Sequence, residues 1–246
     1  MPYEKLSYQK KDHVLIINLI KIPKDFTEIA RLSDELSDLC NAITLDKDVR
    51  VVIISWGQGD SSSGMNLGET KSWSLATAVA KLNIPVVISI NGKAIGQALE
   101  LALACDLRIA SETSNFGLPN IKAGMIPWDG GTQRLSRLVG KSKAIELILT
   151  GEIINAYEAH RIGLVNQIVH DKDLMATVTD MAQEMASRGP IALRYAKEAI
   201  YKGMDLALEQ GLRLEADLYF LLHTTRDRTT GIKAFQEKRK PLFEGR

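Results

Sequence analysis

Apolar residues fall into short dense runs over the first two thirds of this chain and into helical spacing over the last third. Residues Lys5 to Gln9 and His13 to Leu19 alternate or run apolar around the charged turn Lys10-Lys11-Asp12, which predicts a β-hairpin. A helix follows from about Thr27 to Ile43. Val51 to Ser55 and Val86 to Ile90 are continuous apolar runs, the second bounded by Pro85 and Asn91-Gly92, and read as buried strands. Glu69 to Leu82 reads as a helical or mobile stretch in which Trp73 is pocket wall or ordinary core. After Gly96, the segment Gln97 to Ala104 consists of strong helix formers with one charge, Glu100, so this helix is expected to be buried nearly all round. Ser142 to Leu149 and Ala156 to Ile162 read as short helices separated by Thr150-Gly151, and Leu164 to Val169 as a strand. Alternating strands and helices predict an α/β core rich in parallel pairs. From Asp171 onward strand signals vanish, leaving helices over Leu174–Ser187, Ile191–Lys202, Asp205–Thr225 and Thr229–Lys238.

Composition narrows the function classes. At 246 residues with 45% hydrophobic content the chain can bury a sizeable core as one domain with a helical appendage. With 31 basic and 30 acidic residues there is no electrostatic case for nucleic acid as the main partner, and no basic stripe supports RNA binding. Cys40 and Cys105 lie in apolar surroundings without a CxxC or His/Cys cluster, and His13, His160, His170 and His223 lack ligand spacing, so no metal site is expected. His223 is expected at a surface or interface. The start of the chain lacks the apolar core of a secretory signal and no run is long enough to span a membrane, so a cytoplasmic location is expected. The loop Trp56 to Gly64 is rich in Gly and Ser, yet neither GxxxxGK[ST] nor GxGxxG is present, which removes the Walker and Rossmann readings.

Candidate chemistry centres on Glu100. A glutamate in a first helical turn can merely complement the macrodipole. One set among Ala and Leu is also costly to bury, and its pKa should rise, as suits a general acid or base. The helix start just after Gly96 presents N–H groups able to receive a developing negative charge.

The segments NGKAIGQALELALACD, FGLPNIKAG, PWDGGTQRLSRLVG and AIELILTGEIINAYEAHRIGLVNQIV, in this order and spacing, resemble the enoyl-CoA hydratase/isomerase (crotonase) superfamily over Val51 to Arg239. The resemblance implies an α/β fold with a spiral core of ββα turns over residues 1–188, and a C-terminal helical trimerisation region over 189–246. It implies an acyl-CoA thioester as substrate, held as an enolate by two backbone N–H groups, with no cofactor because coenzyme A enters within the substrate. Motif by motif, the N–H donors fall at Met65 and Gln97, the latter in place of the usual glycine, and Glu100 matches the first catalytic glutamate. Asn120 stands where hydratases carry a second, proton-supplying glutamate, and an amide cannot donate an acidic proton. Asp129 is a replacement candidate; counted back from Leu138-Val139-Gly140, the aspartate of related enzymes falls on Trp128 instead. Asp129 also reads as N-cap of the helix opening at Gly130-Gly131.

The resemblance places Lys21 and Lys24 beside the nucleotide of coenzyme A and Lys238 against a neighbour's coenzyme A, alternatives being a solvated loop and a solvated helix end. It implies a homotrimer, usually paired into a hexamer. The activity expected first is hydration of a 2-enoyl-CoA. Isomerisation, or hydrolysis or dehalogenation through Glu100 or Asp129, is the same-class alternative, and a non-catalytic CoA-binding scaffold the other.

Overall fold

The computed structural model describes residues 3–20, 26–56 and 74–246. Strands β1 (Leu6–Lys11) and β2 (Val14–Leu19) form the expected hairpin, closed by Asp12 and His13, both with positive φ. Helix α1 (Phe26–Leu45) crosses to β3 (Val51–Trp56), whose six residues are all buried. The reason is that both faces of β3 are covered. Val52, Ile54 and Trp56 pack with Leu32, Leu36 and Leu39 of α1, while Val51 and Ile53 pack with Val178 and Ala182. A strand covered on both sides reads as an unbroken apolar run, as it does in parallel sheets under crossover helices.

Helix α2 (Leu75–Ala80) then leads to β4 (Val86–Ile90), β5 (Lys93–Ile95) and α3 (Gln97–Ala104). The pattern repeats with β6 (Leu107–Ser111), β7 (Asn115–Gly117) and a 3-10 turn at Pro119–Ala123. These are successive ββα turns of a spiral, as expected. The large sheet runs β1-β2-β3-β4-β6-β9, in which only β1 and β2 are antiparallel. Helices α4 (Gly131–Val139) and α5 (Lys141–Thr150) precede β8 (Ile153–Asn155), which joins β5 and β7 in a second, three-stranded sheet. Helix α6 (Ala156–Arg161) and β9 (Gln167–Val169) close the spiral, and α7 (Leu174–Ala186) covers the far face of the large sheet.

Three helices remain: α8 (Pro190–Gly203), α9 (Leu208–Leu222) and α10 (Arg226–Gln236). No residue of α8 is buried. Its tie to the sheet is polar, Lys197 Nζ donating to Asp106 Oδ2 at 2.7 Å and to the Ile84 carbonyl at 2.9 Å. The short strands β5 and β7 have no counterpart in the sequence reading, which differs from this structure in three further places. Leu107–Ser111 is a strand although a buried Arg108 interrupts its apolar run, and β8 fills the gap read as a plain Thr150-Gly151 break. The last strand is only Gln167–Val169, because Leu164 and Val165 drop into the core ahead of it.

Candidate active site

Helix α3 begins where the backbone turns sharply at Gly96, with φ 61° and ψ −126°, a combination open to glycine and closed to residues with a Cβ. The Gly96 N–H donates to the Gly117 carbonyl at 2.9 Å, so the start of α3 is locked against the end of β7. Gln97 is the first residue of the helix and is buried. All eight residues of α3 are buried, and Glu100, one turn in, is fully so.

Among the described residues the Glu100 carboxylate is held on one side only. Its Oε1 accepts the backbone N–H of Asp129 at 2.7 Å and of Gly131 at 2.9 Å. Its Oε2 is buried and has no hydrogen-bond partner among the described residues. Burial pushes the carboxyl up to about 7, against the pull of the Gly131 and Asp129 N–H groups; the Asp129 charge adds to the rise and Arg134 opposes it. A group poised near neutrality with one oxygen anchored and the other open is arranged to take and return protons.

Gly131 is required by this approach. A Cβ there would lie 2.9 Å from Glu100 Oε1, 2.8 Å from Pro127 Cβ and 3.1 Å from Leu118 Cδ1. The glycine pair that read as a helix start is therefore also the passage through which the backbone reaches the carboxylate.

Asp129 corrects one of its two sequence readings. The N-cap of α4 is Gly130, without a side-chain cap bond. The Asp129 carboxylate points instead to the first turn of α2, where Oδ2 accepts the Ala76 N–H at 2.9 Å and Oδ1 accepts the Ser74 hydroxyl. It caps a helix more than 50 residues earlier in the chain. Burial raises its pKa, against the pull of Ser74 and Ala76. Ser74, Thr77 and Arg134, whose Nη1 donates to the Asp129 carbonyl at 2.7 Å, were not singled out from sequence. Only the N-cap serine ahead of Leu75 carried a local signal.

Asn120 lies in the 3-10 turn that follows β7, buried, its Oδ1 without a hydrogen-bond partner among the described residues. Gly117 ties the end of β7 to the start of α3, so this turn, α3 and the Pro127–Gly131 loop form one neighbourhood. Trp128 is half exposed on that loop. Lys238 is exposed just past the end of α10 with φ 51°, and His223 is exposed at the end of α9. Met65, Lys21, Lys24 and Trp73 lie outside the described residues. Among the described residues no three His, Cys, Asp or Glu side chains are grouped to hold a metal, and no helix is long and apolar enough to cross a membrane.

Glu100 stands fully buried in the first turn of a spiral helix, at the position the sequence resemblance matches to the first catalytic glutamate, and the two amides on its Oε1 are a feature the sequence did not suggest. The model of the enoyl-CoA hydratase/isomerase family matches residues 11–246. The chain belongs to this family. It is 36% identical over 260 residues to the crotonyl-CoA hydratase of Syntrophomonas wolfei, covering 99% of each chain. To the 2,3-dehydroadipyl-CoA hydratase of Escherichia coli it is 36% identical over 254 residues, 98% of this chain and 99% of that one. The crystal structure of an enoyl-CoA hydratase from Bacillus anthracis matches with a TM-score of 0.90 at 36% identity, over 99% of this chain and all of that one. The fold is thus the crotonase fold, and the chain is an acyl-CoA enzyme of the hydratase/isomerase type.

Proposed function

We propose that this enzyme adds water to a 2-enoyl-CoA, with Glu100 as the sole proton-transferring carboxylate. What carries the reading is the Glu100 geometry: full burial, Oε1 anchored by two N–H groups and Oε2 open. Glu100 takes a proton from water as the hydroxyl adds at the β carbon. The thioester becomes an enolate, whose oxygen rests on the N–H groups of Met65 and Gln97. The proton then passes from Glu100 to the α carbon, so one carboxylate ends as it began and water is divided across the double bond. Asn120 holds the water through its amide but supplies no proton. Two curated relatives that span nearly the whole chain are named as hydratases, which supports this activity over others in the family.

Double-bond isomerisation is the second reading, favoured by Asn120, because moving one proton between two carbons needs one carboxylate. Hydrolysis or dehalogenation through Asp129 is weakened by its carboxylate's engagement with Ser74 and Ala76. A scaffold without catalysis is disfavoured by the cost of burying Glu100. The reading calls for no cofactor beyond the coenzyme A of the substrate. Lys21 and Lys24 are assigned to its nucleotide, Lys238 to that of a neighbouring subunit in a trimer or hexamer, and Trp128 to the substrate cleft. Two buried free thiols and bacterial relatives support a cytoplasmic setting.

Incubating the protein with crotonyl-CoA, 3-enoyl-CoA and 3-hydroxyacyl-CoA thioesters and following products by mass tests it. Hydration of crotonyl-CoA is expected, and Glu100→Gln is expected to lower it about 10²–10⁴-fold. A variant retaining more than about a tenth of the rate would remove Glu100 from the chemistry.

A further inference from the structure

The Pro127–Gly131 loop faces two ways. Toward α3, the N–H groups of Asp129 and Gly131 converge on one oxygen of Glu100. Toward α2, the side chain of Asp129 takes the Ala76 N–H at 2.9 Å and the Ser74 hydroxyl, with Thr77 Oγ1 at 3.5 Å. Ser74 is itself tied into α2, because its Oγ accepts the Thr77 N–H at 2.8 Å. Arg134 Nη1 holds the Asp129 carbonyl from a third side at 2.7 Å. One residue therefore delivers an amide to Glu100 with its backbone and fastens to another helix with its side chain.

We propose that Asp129 and Ser74 are positioning residues that pin this loop to the first turn of α2 and thereby keep two N–H donors on Glu100 Oε1. The proposal rests on the reading of Glu100 as the base. Both Asp129 oxygens accept hydrogen bonds from the start of α2, and neither is hydrogen-bonded to Glu100 Oε2. Asp129 acts through the carboxylate it steadies. Because the two amides favour ionised Glu100, loosening the pin raises the pH at which Glu100 ionises. Among the described residues the charged neighbours of Glu100 are Asp129 and Arg134, and changing Ser74 substitutes neither.

The test is a titration of Glu100 in the intact protein, followed by NMR of ¹³C-carboxyl-labelled glutamate and read independently of turnover. Ser74→Ala is expected to move the Glu100 midpoint upward by about 0.5 to 1, the size of one weakened amide hydrogen bond. Ser74→Gly removes the same hydroxyl with a smaller loss of helix capping and should show the same movement should Ser74→Ala fold poorly. Ser74→Thr, which keeps a hydroxyl, should return the midpoint to the wild-type position. In turnover, the Ala and Gly variants should lower kcat with KM little changed and move the acidic limb of the pH profile in step with the NMR midpoint. An unmoved midpoint in folded Ser74→Ala or Ser74→Gly overturns the proposal, because a cap serving α2 alone would leave Glu100 untouched. Loss of all turnover in Asp129→Asn beside near-wild-type turnover in Ser74→Ala also overturns it, by making Asp129 a reacting group. Full activity of Glu100→Gln would instead defeat the reading of Glu100 as base, and the NMR midpoint would still decide the positioning role.

Discussion

Glu100 is a liability to folding that the chemistry requires. Its folded-state pKa of about 7 lies above the ordinary 4.5, so between these values the folded protein holds a proton that the unfolded chain has released. Stability therefore falls as pH rises from about 4.5 to about 7 and levels off above, the ionised form costing on the order of 3 kcal/mol. Glutamine keeps an acceptor for the Asp129 and Gly131 amides and cannot ionise. Glu100→Gln should thus be more stable than wild type at pH 8.5 and show little or no gain at pH 4, as read from thermal unfolding. Equal effects at the two pH values would mean that the charge is well accommodated. The same residue predicts that kcat/KM for hydration rises through an acidic limb near 7, since only the ionised form accepts a proton from water. Gly131→Ala approaches the site from the opposite side. Its Cβ would sit 2.9 Å from Glu100 Oε1 on α3 and 2.8 Å from Pro127 Cβ on the loop itself. A displaced amide should cost about ten- to a hundredfold in kcat, with overall folding retained by circular dichroism.

Helix α3 is held at both ends, and the far end explains why a buried arginine sits in a strand. Arg108 Nη1 donates to the Cys105 carbonyl at 2.6 Å and the Ala102 carbonyl at 3.3 Å, while Nε reaches the Leu164 carbonyl at 2.8 Å. It satisfies carbonyls that the end of the helix leaves open and joins them to the segment before β9. Arg108→Met would fill similar space but orphan these acceptors, a loss of about 2–4 kcal/mol that urea unfolding at pH 7 would measure. Such features mark the limit of what the sequence discloses. Elements written as one helical period, α1 and α7, or as an unbroken apolar run, β3, β4 and α3, are legible because burial on one or on all faces writes the pattern directly. Strands β5, β7 and β8 have three residues each and exist through pairing with one another, which no local period encodes. Glu100 stands out as the one charge in an apolar helix, and Asn120 as a departure from a motif. The role of Asp129 was half legible: its preference for capping is local chemistry, but the helix it caps lies more than 50 residues away and is chosen by the fold.

The three C-terminal helices extend this logic to association. No residue of α8 is fully buried, and Ile200 on it, Met204 just past its end, Leu208, Leu212, Tyr219 and Phe220 on α9, and Phe235 on α10 are exposed, the last by 85%. Leu208, Leu212 and Tyr219 recur at helical spacing along one side of α9. Monomeric proteins seldom show contiguous apolar patches above a few hundred Å², and helices held to the core by contacts as polar as Lys197 with Asp106 and Ile84 gain most of their stability from what covers the other face. The cover inferred is a second and third copy of this chain, each presenting the same helices. Sedimentation at micromolar concentration should show a trimer or hexamer, and Leu212→Asp with Phe220→Asp should shift it toward monomer, since a carboxylate in an apolar interface loses its hydration without a partner. Lys238 supplies an independent readout. If it reaches coenzyme A on a neighbouring subunit, dissociation should raise KM for crotonyl-CoA about tenfold with kcat less affected, the loss expected for one charge-assisted contact. Lys238→Ala should then raise KM to a similar degree in the assembled protein and have no further effect in the dissociated one. A wild-type monomer would overturn the assembly and the shared site together, whereas an assembled Lys238→Ala with wild-type KM would overturn only the role of the lysine.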